Sequence, residues 1–242
     1  MLIFAHRGAS AVAPENTLAA FDKALEAQAD AIEIDISQVD GEVYVFHDRY
    51  LDRLTAKPGR FQDLSSAQVQ TLAVFGQHQV PTLKQALHRI AGRCMLNIEI
   101  KAPVEQEKLS ELLNYALRQC GFTEQQLLIS SFNHHWLKDI KAARPQTRIG
   151  ALTATNNLDY AAYATQLGAY SAHIDINVID QAFVHDAHQR GLAVFVYTVD
   201  EAQDITWLKK LGVDGIFTNH PLLAKTILAG LPVCEHTLIR HF

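Results

Sequence analysis

Residues 3–21 read IFAHRGASAVAPENTLAAF. The stretch is a short apolar strand (3–6), a loop, and an amphipathic helix (17–27) with Leu18, Phe21 and Leu25 on one face. Asn16 or Thr17 suits the helix N-cap. This strand-then-helix unit recurs to the end of the chain. Further strands fit at 31–37, 95–100, 127–132, 148–153, 169–174, 193–198 and 214–218. Helices fit at 82–91, 106–119, 134–143, 157–167, 179–189, 201–211 and 221–229. Gly121, Gly168, Gly191 and Gly212 fall just past helical segments, where a left-handed residue commonly ends a helix. Eight such units predict a TIM (β/α)8 barrel, in which functional residues gather at the C-terminal ends of the strands. An open doubly wound sheet is the competitor, but HRGAS lacks the Gly-rich first turn usual there.

The rhythm breaks once. In QVDGEVYVFHD (38–48), Asp40-Gly41 lies between two alternating runs, a hairpin signal. The second strand is therefore expected to turn and come back antiparallel, delivering His47 and Asp48. Residues 49–80 then read as an insertion, with a short helix after Ser65 that Ser65 and Gln68 cap as a box. Thr82 and Gln85 form another such box, followed by an apolar stripe of Leu83, Ala86, Leu87 and Ile90. One barrel domain over 1–242 is expected, with 49–80 inserted in it and no clear period in 230–242.

Composition excludes several classes. With 242 residues, 48% hydrophobic and 19% charged, the chain is ordinary globular material, long enough for one barrel. A net charge of -5 and no basic block argue against nucleic acid as the partner. Cys94, Cys120 and Cys234 are odd in number and form no metal-ligand pattern, as in a reduced cytoplasmic protein. MLIFAHRGAS has no basic leader region, and no apolar run approaches a membrane span. Stable membrane insertion is not expected; a monomer or homodimer is.

The chemistry sits on alternating strands. In IEIDI, Ile32, Ile34 and Ile36 share one face, and Glu33 and Asp35 share the other. In LNIEIK, Asn97, Glu99 and Lys101 oppose Leu96, Ile98 and Ile100. In a barrel, three carboxylates and a lysine would then face the lumen near one rim. Like charges in a partly dry place repel unless cations compensate. Arg7 and Lys101 could do so as an internal ion-pair network, although buried ion pairs contribute little stability. A hard divalent cation, Mg²⁺ or Ca²⁺, is the alternative, and oxygen ligands suit both. Of the 12 histidines, His134, His135, His185, His188, His236 and His241 fall on helices or the tail, mostly in solvent. His6 and His47 differ: each ends an apolar strand and precedes a charged residue. Two histidines at one rim beside carboxylates suit general acid–base catalysis. There is no GxSxG elbow, P-loop or HExxH.

Taken together, HRGASAVAPENTLAAF, EIDISQVDGEVYVFHDRYLDRLT, PTLKQAL, NIEIK, ISSF, VYTVD and GVDGIFTNHP resemble the glycerophosphodiester phosphodiesterase family over nearly the whole chain. The resemblance implies a TIM barrel with a small insertion after the HD pair. It implies Glu33, Asp35 and Glu99 as ligands of one divalent cation, and His6 and His47 as the acid–base pair. Arg7 and Lys101 would bind phosphate, Asn16 would stand at the rim near the metal, and Phe132 and Tyr197 would line the substrate cleft. The implied reaction converts a glycerophosphodiester, such as glycerophosphocholine or glycerophosphoethanolamine, to glycerol 3-phosphate and an alcohol. Asp200 and Asn219 depart from the family's usual residues. They are expected to bear on how glycerol or the leaving alcohol is held, and not to touch the metal or the histidines. The rival readings are a lysophospholipid or phosphatidylinositol phosphodiesterase, which needs an apolar or membrane-facing rim, and a non-catalytic binding barrel, which would not need this full residue set.

Overall fold

The computed structural model describes residues 1–232. Cys234, His236, His241 and most of the 230–242 segment lie outside them. The strands are β1 (Leu2–Ala5), β2 (Ala31–Val39), β3 (Glu42–Val45), β4 (Ala73–Val74), β5 (His78–Gln79), β6 (Met95–Ile100), β7 (Leu127–Ser131), β8 (Arg148–Thr153), β9 (Ser171–Asp175), β10 (Ala193–Tyr197) and β11 (Gly215–Thr218). The helices are α1 (Leu18–Glu26), α2 (Asp52–Thr55), α3 (Ser66–Val69), α4 (Leu83–Ile90), α5 (Gln106–Gln119), α6 (His134–Ala143), α7 (Ala162–Gln166), α8 (Gln181–Gln189), α9 (Ala202–Leu211) and α10 (Pro221–Leu228). Eight parallel strands follow one another in the order β1, β11, β10, β9, β8, β7, β6, β2, and β1 pairs again with β2. The ring closes, leaving no edge, and the chain is a TIM barrel.

Strand alternation explains the layering. Ile32, Ile34 and Ile36 point outward and join one core with Leu83, Leu87 and Ile90 of α4. On the inner face the floor is aromatic and apolar: Phe4, Leu128, Phe195 and Phe217 pack together, with Phe4 4.8 Å from Phe195 and 4.7 Å from Phe217 between ring centres. Higher in the lumen the inner residues turn polar, with Glu33 opposite Asn97 and Asp35 opposite Glu99 in the β2–β6 register. The floor is dry and the rim carries the chemistry.

The Asp40-Gly41 hairpin forms as expected, with Val39 facing Glu42 across an antiparallel β2–β3 pair. Thr17 caps α1, and its hydroxyl accepts from Ala20 N. Two expectations change. The helix expected at 157–167 covers only Ala162–Gln166, because Tyr160 takes a left-handed backbone (φ 47°) in the turn before it. Residues 49–80 hold the expected short helix, α3, capped by the Ser65–Gln68 box, and are otherwise better organised than expected, with α2 and the β4–β5 pair. Phe46, Leu51, Leu54, Phe61, Val69, Leu72 and Val74 form a core of their own, with Phe46 stacked on Phe61 at 4.3 Å. Pieces of four residues or fewer are too short to show a hydrophobic period.

Gly8, just after β1, turns the chain into α1. Its φ is +82°, and an added Cβ would lie 2.7 Å from both the carbonyl carbon and the Cβ of Ala20. Left-handed strain of about 1–2 kcal/mol adds to overpacking of about 1–3 kcal/mol. Gly8→Ala is therefore expected to lower the melting temperature by roughly 5–20 °C. A calorimetric midpoint within about 2 °C of the wild type would show that this turn yields without strain.

Candidate active site

Glu33, Asp35 and Glu99 offer oxygens that all lie within 4.8 Å of one another. Each is at least nine-tenths buried. One Glu33 oxygen accepts from the Arg7 backbone N–H at 2.8 Å, while the other, Oε1, is buried with no hydrogen-bond partner. Burial, together with Asp35 and Glu99, raises the Glu33 carboxyl well above its usual range. Burial and Asp35 push Glu99 up to about 7 despite Lys101. Asp35 goes the other way: burial would raise it, but Arg7, His47, Lys101 and the Asn16 bond hold it below the usual value. Three converging hard oxygens, one without a donor, fit a divalent cation. Glu15, His47 and Asp48 also cluster, but arginines occupy their carboxylates. Glu15 accepts from Arg7 and Arg53, and both Asp48 oxygens accept from Arg53.

The cations are partly engaged by these acids. Arg7 donates from Nη1 to Glu15 at 2.7 Å and sets Nε 3.3 Å from Asp35. Among the described residues, no hydrogen bond engages its Nη2. Lys101 Nζ donates to Glu99 at 2.8 Å and lies 3.8 Å from Asp35. The ion-pair network considered from sequence therefore exists, yet it leaves Glu33 Oε1 unanswered. Asn16 lies in the loop between β1 and α1, beside Asp35. It is 2% exposed, donates from Nδ2 to Asp35 at 2.8 Å, and accepts from the Asp35 backbone N–H at 3.2 Å. It steadies that carboxylate.

Both histidines are held through Nδ1. His6 follows β1, whose neighbour is β11, and His6 N donates to Thr218 O at 2.9 Å. That brings His6 Nδ1 2.8 Å from Asn219 Oδ1. Asp200, which can only accept, takes Asn219 Nδ2 at 2.6 Å and the Asn219 backbone N–H at 2.8 Å. The amide is thereby oriented: Nδ2 faces Asp200, Oδ1 faces His6, and Ser10 Oγ also donates to Oδ1 at 2.6 Å. His6 must then carry its proton on Nδ1, leaving Nε2 for the cleft. Burial and Arg7 lower the His6 pKa to about 4, although Asp35, the Asn219 bond and Glu15 pull it up. This corrects the expectation that positions 200 and 219 stay clear of the histidines. On the other side, His47 Nδ1 lies 2.7 Å from Asp48 Oδ1. The Arg53 and His47 bonds outweigh burial and bring the Asp48 carboxyl to about 2.

His6, Arg7, Glu33, His47, Glu99 and Lys101 line one cleft that encloses about 510 Å³ of space and opens to solvent. Phe132 and Tyr197 form its apolar wall, edge to face with centres 5.9 Å apart. The Tyr197 hydroxyl donates to Thr153 O at 2.7 Å, which anchors the ring. Deeper, His173 is fully buried against Phe195 and Phe217, with Nε2 2.8 Å from Ser171 Oγ. Burial lowers its pKa to about 3. Gly150 makes room for that ring, since a Cβ there would sit 2.3 Å from Nε2. Sequence reasoning missed His173, Glu15, Arg53 and the relay through Asn219. The alternation that exposed Glu33 and Asp35 also puts Ser171, His173 and Asp175 on one face of SAHID.

The profile of the glycerophosphoryl diester phosphodiesterase family matches residues 6–223. A glycerophosphodiester phosphodiesterase of Caldanaerobacter subterraneus subsp. tengcongensis is 36% identical over 231 residues, covering 91% of this chain and 94% of that one. Among solved structures, a phosphodiesterase of Oleispira antarctica in complex with the product sn-glycerol-3-phosphate superposes with a TM-score of 0.85. It is 27% identical and covers 95% of this chain and 97% of that one. A glycerophosphodiester phosphodiesterase of Thermotoga maritima superposes with a TM-score of 0.77 at 26% identity, over 94% and 98% of the two chains. With its closed barrel, its carboxylate cluster and its two oriented histidines, the chain belongs to the glycerophosphoryl diester phosphodiesterase family, a family of hydrolases.

Proposed function

We propose that this protein hydrolyses glycerophosphodiesters to glycerol 3-phosphate and an alcohol, with His6 and His47 as the acid–base pair. The observation that carries the reading is a single cleft holding two imidazoles, each fixed through Nδ1, beside three carboxylates and two cations. The relative with bound sn-glycerol-3-phosphate supports the same product. Glu33, Asp35 and Glu99 would hold one divalent cation, Mg²⁺ or Ca²⁺, whose charge draws density from a phosphate oxygen and eases ionisation of a nearby hydroxyl.

The chain's own groups do the rest. Arg7, through its unengaged Nη2, and Lys101 would receive the phosphate oxygens, the first as a fixed N–H donor and the second as a point charge. His6, kept neutral by burial, suits the base that takes a proton from the nucleophile at Nε2. The nucleophile is the glycerol 2-hydroxyl, giving a cyclic phosphate that water then opens, or water directly. His47 suits the group that returns a proton to the departing alkoxide. Asp48 would stabilise the charge His47 carries after a second proton arrives. Phe132 and Tyr197 would bound the glycerol side. Asn16 would act through Asp35. We place the activity in the cytoplasm on the odd number of cysteines and their lack of a metal-ligand pattern; among the described residues, no helix is long and apolar enough to cross a membrane.

A coupled assay with glycerol-3-phosphate dehydrogenase is expected to detect product from at least one glycerophosphodiester, and silence across a panel would reject the reading. His6→Ala and His47→Ala should each lower kcat about 10²–10⁴-fold with an unchanged circular dichroism spectrum; near-normal turnover in either removes the two-histidine scheme. Glu33→Gln should weaken Mg²⁺ or Ca²⁺ binding by calorimetry at least about tenfold, whereas an unchanged isotherm excludes Glu33 as a ligand. Asp200→Asn lets the Asn219 amide turn its NH₂ to His6. It should cut kcat on the order of 10²-fold with little change in KM and move the His6 ¹⁵N resonances towards the other tautomer. Resonances that stay in place would mean that Asp200 does not set the tautomer.

A further inference from the structure

A second cleft, enclosing about 1030 Å³ and open to solvent, adjoins the first, and His47 and Lys101 line both. Its other walls include Asp48 and Arg49 after the β2–β3 hairpin, and Arg60 and Gln62 of the 49–80 segment. The charges on these walls do not cancel. Asp48 is the acid among the lining residues, and Arg53 and His47 already occupy its oxygens. Arg49 has no ion pair among the described residues; its guanidinium lies 6.0 Å from the centre of its neighbour Tyr50's ring. Arg60 has only Asp63, at 3.9 Å between two well-exposed side chains, and its buried Nε has no partner. Two arginines thus line a cleft that shares a wall with the candidate proton donor.

A quaternary ammonium would find nothing here to hold it. Such a cation binds to aromatic faces or carboxylates. Phe61, the aromatic side chain in this lining, is 1% exposed and stacked on Phe46. An anionic group would instead meet planar forks of hydrogen-bond donors. Position agrees with charge. A proton returned by His47 goes to the alkoxide that leaves, so the alcohol must lie on the His47 side of the phosphate, towards this cleft.

We propose that this second cleft receives the alcohol side of the phosphodiester, and that Arg49 and Arg60 select an alcohol bearing its own anionic group, a phosphate or carboxylate, over a quaternary ammonium. The proposal rests on the phosphodiesterase reading above.

The test compares kcat/KM for glycerophosphoinositol 4-phosphate, glycerophosphoglycerol and glycerophosphocholine, in wild type and in Arg49→Gln and Arg60→Gln. The expected order is anionic, then neutral, then cationic. The anionic-to-choline ratio should be about tenfold or more at low ionic strength and shrink in about 0.5 M salt, where exposed charges are screened. Each variant should lower that ratio by up to about fivefold, the worth of one partly exposed ion pair. Arg49 is exposed and makes no side-chain hydrogen bond among the described residues, so its variant tests the idea even if Arg60→Gln unfolds. A wild type that prefers glycerophosphocholine, or variants that leave the ratio unmoved, overturns the proposal while the phosphodiesterase reading stands. No glycerol 3-phosphate from any of the three overturns the reading beneath it.

Discussion

Three carboxylates share a space in which their oxygens lie within 4.8 Å of one another and water scarcely reaches. At such distances, two unit charges repel by about 3 kcal/mol at an effective dielectric of about 20. The chain answers with Arg7 and Lys101, two cations against three anions, and Glu15 claims part of Arg7. The remaining mismatch falls on Glu33, whose raised pKa and bare Oε1 record it. An apolar barrel interior would be more stable than this one, so the arrangement makes sense as a place prepared for a cation and for an anionic substrate beside it.

The barrel makes that concentration of charge tolerable. β2 and β6 deliver their acids by alternation, so the outward faces stay isoleucine-rich and the helices pack without polar interruption. Below the site, Phe4, Phe195 and Phe217 close the lumen and keep water from entering beneath. Between floor and rim lie Asn97, Ser130 and His173, a half-polar layer in which Asn97 donates to Ser130 at 2.9 Å. The site is therefore open on one side only, the side from which substrate arrives.

How far the sequence disclosed this depends on whether a residue's role is set by its own strand. The alternation in IEIDI and LNIEIK was enough for Glu33, Asp35 and Glu99, and the Asp40-Gly41 turn was enough to bring His47 to the same end of the barrel. Asn219 is different. It meets His6 across 213 residues because the last strand closes against the first, and no local pattern encodes that contact. The two bonds of Asn16 to Asp35 join a loop to another strand and are likewise not encoded locally. The segment 49–80 hid its order because its elements are too short to have a period, although their apolar residues make a separate core. His173 alone was legible and overlooked.

The two histidines are alike in sequence context and unlike in partner. His47 leans on a carboxylate that Arg53 keeps ionised, whereas His6 leans on a neutral amide that Asp200 keeps oriented. An amide oxygen fixes a tautomer without adding charge. Burial beside Arg7 makes a second proton on His6 still less favourable. In the proposed scheme these neighbours set the direction of proton flow, entering at Nε2 of His6 and leaving from His47. With that direction, the alcohol would depart towards Arg49 and Arg60, which line the adjoining cleft. On this proposal, the asymmetry that orders the histidines would also decide which end of the substrate the insertion meets.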